Sequence, residues 1–152
     1  MKNYRSGISL VELVLVVLII GILTAVAVPR MGMGVVVKHK VKTTAQKIAT
    51  DLRRCRSLAI AEAASNSTGY SLNMTGSAPY SGYEIINLAT GESVDSYTFR
   101  SDVTCTGADE FKFGPLGNLT ESAGTVTVSG SGKTYTITVV QATGMVRCNE
   151  SD

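Results

Sequence analysis

One stretch near the N-terminus constrains the fold of this chain more than any other. From Ile8 to Val28 there are 21 residues with a single charge, that of Glu12. As an α-helix the stretch would be roughly 31 Å long at about 1.5 Å per residue, which matches one hydrocarbon core. A carboxylate inside such a helix costs about 2.5–3.5 kcal/mol at mid-bilayer, and less near an interface. We therefore expect residues 8–28 to form a membrane-spanning helix, with Glu12 as a candidate functional residue.

The residues that flank this stretch argue against an ordinary cleaved signal peptide. The first seven residues are short, polar and basic, and the far side of the apolar stretch, where signal peptidase would cut, contains Pro29. Cleavage after Gly7 would instead leave a cationic amine on Ile8. Glu12 lies four residues later on the same helix face, so it could neutralise the amine of its own helix or of a neighbouring one. A signal anchor whose Glu12 only reaches the headgroups is the alternative.

This combination of residues resembles the N-terminus of type IV prepilins and type II secretion pseudopilins. Gly7, Ile8 and Glu12 stand where that family has its cleavage-site glycine, its new N-terminal residue and its glutamate, and Pro29 follows the apolar helix. The resemblance implies a leader peptide, residues 1–7, that a prepilin peptidase removes, and N-methylation of Ile8. It also implies that Glu12 acts in subunit assembly by meeting the amine of a neighbouring subunit.

The segment after the apolar stretch is predicted to be a kinked, basic helix over residues 29–64. Pro29 cannot donate a backbone hydrogen bond, and Gly21 is a second weak point inside the span. Apolar residues then recur every three or four positions, which predicts one face against a sheet. That stripe consists of Val37, Val41, Ala45, Ile48, Leu52, Cys55, Ala59 and Ala63.

The other faces of this helix are strongly basic. Residues 1–56 hold ten Lys or Arg and two Asp or Glu, whereas residues 57–152 hold four and ten, so a +8 half precedes a −6 half. The basic side chains could be a solvated face, could meet acidic surfaces of neighbouring subunits, or could attract DNA phosphates, although no aromatic side chain is interleaved for base stacking. The candidate interaction patch comprises Lys38, Lys40, Lys42, Lys47, Arg53, Arg54 and Arg56.

Residues 65–152 are predicted to form an antiparallel, β-rich globular domain. Polar and apolar residues alternate over residues 70–74, residues 83–88 are strand-like, and a turn separates them from residues 93–100. The clearest strand signals are residues 125–129 and 134–140, which flank a glycine-rich hairpin turn. Residues 144–148 are a further candidate strand. The predicted fold class is α+β, with a long N-terminal helix packed on a C-terminal antiparallel sheet domain.

Several body segments resemble the FimT/GspH group of minor pilins and pseudopilins. They are residues 51–63, 111–117 and 143–147, together with the hairpin. The resemblance implies a pilin-like fold and a subunit that initiates or caps a type IV pilus or type II secretion pseudopilus. It implies partners that include other pilin subunits, the prepilin peptidase and an inner-membrane assembly platform. Some pilus members bind DNA through their C-terminal region, where this chain offers only Lys133 and Arg147 among many acids.

The location of the chain follows from the resemblance and not from charge counting. More basic residues follow the span than precede it, so the positive-inside rule would place the C-terminal side in the cytoplasm. The resemblance implies the reverse, a single-pass bacterial inner-membrane protein with a cytoplasmic N-terminus and a periplasmic domain, and we prefer it. Three functions stay open: a structural minor pilin, a DNA-binding minor pilin, and a signal-anchored periplasmic domain.

The cysteines and the scattered acids offer little chemistry. Cys55 lies on the apolar stripe and is expected to be buried. Cys105 and Cys148 lie in or beside strands of an extracytoplasmic domain, so a disulfide between them is plausible, although three pairings exist. The single histidine, His39, is far from the cysteines, and no nucleotide-binding or nucleophile motif is present. We expect no metal, no cofactor and no enzymatic activity.

Overall fold

The computed structural model describes residues 9–27, 33–121 and 124–151. The chain divides into two compact units, Met1–Val36 and Val37–Asp152. Gly7, Ile8 and Pro29, which carry the predicted cleavage, methylation and kink, lie outside the described residues.

The first unit contains helix α1, Leu10–Ala27. Its large apolar side chains are exposed on every side, from Ile19 at 46% to Leu10 at 79%. The helix is continuous through Gly21, and the Thr24 hydroxyl donates to the carbonyl oxygens of Ile20 and Gly21. Over the ranges that the structure describes, no helix combines the length and the hydropathy needed to cross a bilayer.

Helix α2, Met33–Ala61, carries the apolar stripe predicted for it. Val37 is half-buried, and Ala63 lies beyond the end of the helix and is also half-buried. The other predicted positions of the stripe are fully enclosed, which confirms the helical periodicity; they are Val41, Ala45, Ile48, Leu52, Cys55 and Ala59.

The rest of the second unit consists of two antiparallel sheets, as the α+β prediction requires. The first sheet has the order β3-β2-β1-β5 and the second has the order β4-β6-β7-β8. The strands are β1 Tyr70–Thr75, β2 Gly82–Asn87, β3 Ser93–Thr98, β4 Thr104–Gly107, β5 Glu110–Phe113, β6 Thr125–Gly130, β7 Lys133–Val140 and β8 Met145–Ser151.

One hydrophobic core joins α2 to both sheets. Several strands bury alternate side chains, most regularly β5 and β7, because side chains in a strand have a period of two. The first sheet supplies Leu72, Ile85, Phe111 and Phe113, and the second supplies Val126, Val128, Ile137 and Val139, all at most 1% exposed. The predicted hairpin is β6–β7, whose two-residue turn, Ser131 and Gly132, has φ values of 50° and 75°.

The predicted disulfide between Cys105 and Cys148 is wrong, because all three cysteines are free thiols. Cys105 lies on β4 and Cys148 on β8, with β6 and β7 between these strands. Three interstrand spacings amount to about 14 Å, whereas the Cα atoms of a disulfide lie about 4.4–6.8 Å apart. The sequence pattern correctly indicated that both cysteines lie in or beside strands, but it did not indicate the order of those strands in the sheet.

Candidate subunit-interaction surfaces

The first candidate surface is the face of α1 around Glu12. Glu12 lies in the first turn of the helix, and its neighbours on the same face are Leu13, Val16 and Val17. Within the described residues the Glu12 carboxylate makes no hydrogen bond or ion pair. An unpaired carboxylate on an apolar helix face is suited to bind a cation supplied from outside the helix.

The basic side chains of α2 form the second candidate surface, and two of them pair with acids of the strand region. Lys40 Nζ lies 2.5 Å from Asp102 Oδ2, and Arg54 Nη1 lies 2.5 Å from Asp95 Oδ2. Hydrogen bonds from these cations hold the pKa values of Asp102 and Asp95 below their usual range. The basic and acidic halves of the sequence therefore meet within one chain.

A third ion pair of α2 has a buried carboxylate, which was not predicted from the sequence. Asp51 is 3% exposed, and its Oδ2 lies 2.8 Å from Lys47 Nζ and accepts a hydrogen bond of 2.5 Å from the Tyr83 hydroxyl. Burial and this hydrogen bond raise the pKa of Tyr83. A signal was present in the sequence, because Asp51 is three residues after Ile48 and four before Cys55, on the apolar stripe.

Two arginines of α2 bind backbone carbonyls of the body. Arg53 Nη2 donates to the Val146 oxygen at 3.2 Å, and Arg56 Nε donates to the Gly117 oxygen at 3.0 Å. Of the seven residues in the predicted patch, Lys38 and Lys42 remain exposed without a hydrogen bond or ion pair to any described residue. Hydrogen bonds from Lys133 and Tyr135 lower the pKa of the Glu150 carboxyl, and the charge of Lys42 adds a smaller contribution in the same direction.

Three of the body segments that resembled the FimT/GspH group, residues 51–63, 111–117 and 143–147, meet at one junction. Gly117 follows β5, and Gly144 precedes β8 with a φ of 62°. A Cβ atom on Gly144 would lie 1.9 Å from the Gly117 oxygen and 3.0 Å from Arg56 Cδ. At this junction α2 packs against the loops that contain Gly117 and Gly144. Position 144 requires glycine, because any Cβ atom would overlap the Gly117 oxygen.

A cleft of about 540 Å³ lies between α2 and the second sheet. Its walls combine cationic and amide side chains of the helix with two residues of the sheet. The lining residues are Lys42, Gln46, Ala49, Thr50, Arg53, Tyr135 and Cys148. No group of three or more metal-binding side chains occurs in the parts of the chain that the structure describes.

Comparisons with known proteins agree with the N-terminal motif and with the fold. Residues 2–28 match the family model described as the prokaryotic N-terminal methylation motif. The structure is similar to the type IV minor pilin FimU of Pseudomonas aeruginosa strain PAO1, with a TM-score of 0.59 and 17% sequence identity over 76% of this chain and 90% of that chain. No curated protein sequence matches the chain.

These findings confirm two of the sequence predictions. The resemblance to prepilins is confirmed by the methylation motif, which spans Gly7, Ile8 and Glu12. The predicted pilin-like α+β fold is confirmed by the helix packed on antiparallel sheets and by the structural similarity. The chain thus has the motif and the fold of a type IV pilin-like protein.

Proposed function

We propose that this type IV pilin-like chain is a minor pilin or pseudopilin, a structural subunit that initiates or caps a type IV pilus or type II secretion pseudopilus. The observation that carries the proposal is the N-terminal methylation motif at residues 2–28, directly before and within α1. The pilin-like fold of the body supports it. The partners are other pilin or pseudopilin subunits, the prepilin peptidase and an inner-membrane assembly platform.

Processing and assembly would use three residues in succession. The peptidase cleaves between Gly7 and Ile8, and methylation of the new N-terminus retains its positive charge. Glu12 of one subunit then pairs with the amine of Ile8 in a neighbouring subunit. The Glu12 carboxylate has no partner in the part of the chain that the structure describes, which supports this role, because a charge that is costly in an apolar medium favours the arrangement that neutralises it.

The proposal includes a location for the chain. Residues 8–28 anchor it in the bacterial inner membrane as a single span, with a cytoplasmic N-terminus and a periplasmic body. The support is the 21-residue run with one charge, which extends beyond the described part of α1 at both ends.

Duplex DNA is a weaker candidate partner. Lys40, Lys47 and Arg54 are paired with carboxylates of the same chain, so their charge is already compensated. Binding of DNA through released counterions needs several uncompensated cations. The basic helix instead contributes to the internal contacts of the subunit.

The proposal is tested by substituting Glu12 in the native host. Glu12→Ala should still lose the first seven residues, as measured by mass spectrometry, but should be absent from sheared filaments or from the assembled pseudopilus. Leu18→Ala, a neutral change on the same helix, is the matched control and should be incorporated. Incorporation of Glu12→Ala at the normal level contradicts the assembly role.

A second variant separates a pilin from a signal-anchored domain. Gly7→Lys should block processing, so this variant should keep its leader and migrate in gel electrophoresis at the size of the unprocessed chain. If the mature size of Gly7→Lys equals that of the unaltered chain, the peptidase does not use this site and the signal-anchor alternative replaces the proposal.

A further inference from the structure

Strand β8 has a free edge next to the cleft between α2 and the second sheet. In that sheet β8 pairs only with β7, so one side of its backbone has no strand partner among the described residues. An open strand edge presents a row of donors and acceptors to which another extended chain can pair.

The register identifies the residues that face this open side. The Val139 N–H of β7 donates to the Gly124 oxygen at 3.1 Å, so the backbone of Val139 points away from β8. Its partner Val146 therefore points away from β7, because the two residues form a non-hydrogen-bonded pair. By alternation the open-side residues are Val146, Cys148 and Glu150. The bond from Arg53 to the Val146 oxygen agrees with this orientation.

Helix α2 follows the open edge along its length. Arg53 contacts Val146 at one end, and at the other Lys42 lines the cleft together with Tyr135, the strand partner of Glu150. Eleven helical residues rise about 16 Å, and the four steps from Val146 to Glu150 extend about 13 Å. The cleft is thus a groove with a strand edge on one side and a helix on the other.

The charge of the groove favours an acidic occupant. Lys42 and Arg53 are exposed near its two ends. Among the described residues the carboxylate beside the groove is that of Glu150, which is already engaged by Lys133 and by the Tyr135 hydroxyl, the latter at 3.0 Å. Cations at both ends suit an extended peptide with two acidic side chains about 13 Å apart, which is four residues in a strand.

We propose that this groove binds an extended acidic segment of a partner protein, which pairs with the open side of β8 and places carboxylates four residues apart on Lys42 and Arg53. The backbone pairing supplies affinity, and the two cations select acidic segments and set the register. This interaction is independent of Glu12, so it stands or falls separately from the assembly role proposed above.

The test uses the full chain in detergent and a seven-residue peptide, Thr-Glu-Thr-Val-Thr-Glu-Thr, with blocked ends. In the free chain the amides of Val146, Cys148 and Glu150 should exchange rapidly with solvent, whereas those of Arg147 and Asn149, which face β7, should exchange slowly. The peptide should slow exchange of the first set and leave the second unchanged. It should also slow alkylation of Cys148, the partly exposed thiol.

Three controls separate edge pairing from simple charge attraction. A peptide with Lys in place of Glu should not bind, and neither should one that is N-methylated at alternate residues, which cannot donate to β8. Lys42→Gln combined with Arg53→Gln should weaken binding about tenfold, whereas Lys38→Gln, on an exposed lysine outside the groove, should leave it unchanged.

Specific results would overturn the proposal. Rapid exchange that persists with the acidic peptide, or equal binding of the N-methylated peptide by the unaltered chain, excludes edge pairing. Slowed exchange that appears when the chain alone is concentrated shows that a second copy fills the groove instead. Because the N-methylated peptide needs no protein variant, the test remains decisive even if the Arg53 substitution prevents folding.

Discussion

At the scale of single residues, the most informative group is the buried carboxylate of Asp51. A charged group with 3% exposure is tolerated only when it is paired, and here Lys47 and the Tyr83 hydroxyl provide its partners. The contact links α2 to β2 of the first sheet. The contact therefore fixes the position of α2 on the first sheet, because a hydrogen bond is directional and an apolar contact is not.

Removing either member of the Asp51–Tyr83 pair should destabilise the body. Asp51→Ala leaves a buried hydroxyl without its acceptor, at a cost of about 1–3 kcal/mol in the free energy of unfolding. Tyr83→Phe should cost a similar amount. The double variant should cost less than the sum of the two, because they share one interaction. Urea unfolding followed by circular dichroism measures the cycle, and strict additivity would show that the pair is not coupled.

The buried thiols predict a loss of stability at alkaline pH. Burial raises the pKa values of Cys55 and Cys105 to about 12, whereas an unfolded thiol has a pKa of about 8.5. Above pH 8.5 the unfolded chain releases protons that the folded chain retains, so the free energy of unfolding falls as pH rises toward 12. Cys55→Ala should make this decline shallower, by at most about 1.4 kcal/mol per pH unit. Cys148→Ala, at a partly exposed thiol, should change the slope less.

Residue contacts of this kind were the least predictable part of the molecule. Arg54 and Asp95 are 41 positions apart, and Lys40 and Asp102 are 62 apart, so nothing local indicates that they meet. The charge asymmetry left three alternatives for the basic side chains, namely a solvated face, acids of neighbouring subunits or DNA phosphates, and pairing with acids of the same chain was not among them. The N-terminal motif is local, and for that reason it was recognisable from spacing alone.

At the scale of elements, patterns with a short period were predictable and the arrangement of the sheets was not. The stripe of α2 and the β6–β7 hairpin follow from periodicity and from Gly132 in a tight turn. Strands β4 and β5 have four residues each, too few for a visible alternation. The division into two sheets depends on which strands pair. Pairing joins residues that are far apart in the sequence, so a local pattern does not predict it.

The junction between α2 and two loops allows a matched pair of glycine substitutions. Gly144 and Gly132 have φ values of 62° and 75°, so an added Cβ strains both by about 1–2 kcal/mol. At Gly132 nothing lies within 4 Å of that Cβ, whereas at Gly144 it would overlap the Gly117 oxygen at 1.9 Å. Gly144→Ala should therefore lower the free energy of unfolding by at least about 3 kcal/mol, and Gly132→Ala by much less. Equal effects in urea unfolding would contradict the close packing of the junction.

At the scale of the whole molecule, the two units differ in what stabilises them. The second unit, Val37–Asp152, holds the hydrophobic core of the described residues, from Val41 on α2 to Val146 on β8. The first unit exposes its apolar side chains in the isolated chain. The contacts that bury the core thus lie within the second unit.

This division predicts that residues 37–152 fold without the first unit. The fragment keeps every buried apolar residue of the core, so it should be soluble and monomeric, and should unfold cooperatively in urea at the midpoint of the body in the full chain. A shorter fragment, residues 50–152, is the matched control. It lacks Val41, Ala45, Ile48 and Ala49, whose removal exposes the facing side of both sheets, and it should aggregate or lack a cooperative transition. If fragment 37–152 behaves like the shorter fragment, the N-terminal unit is required for folding, and the body is not an autonomous domain.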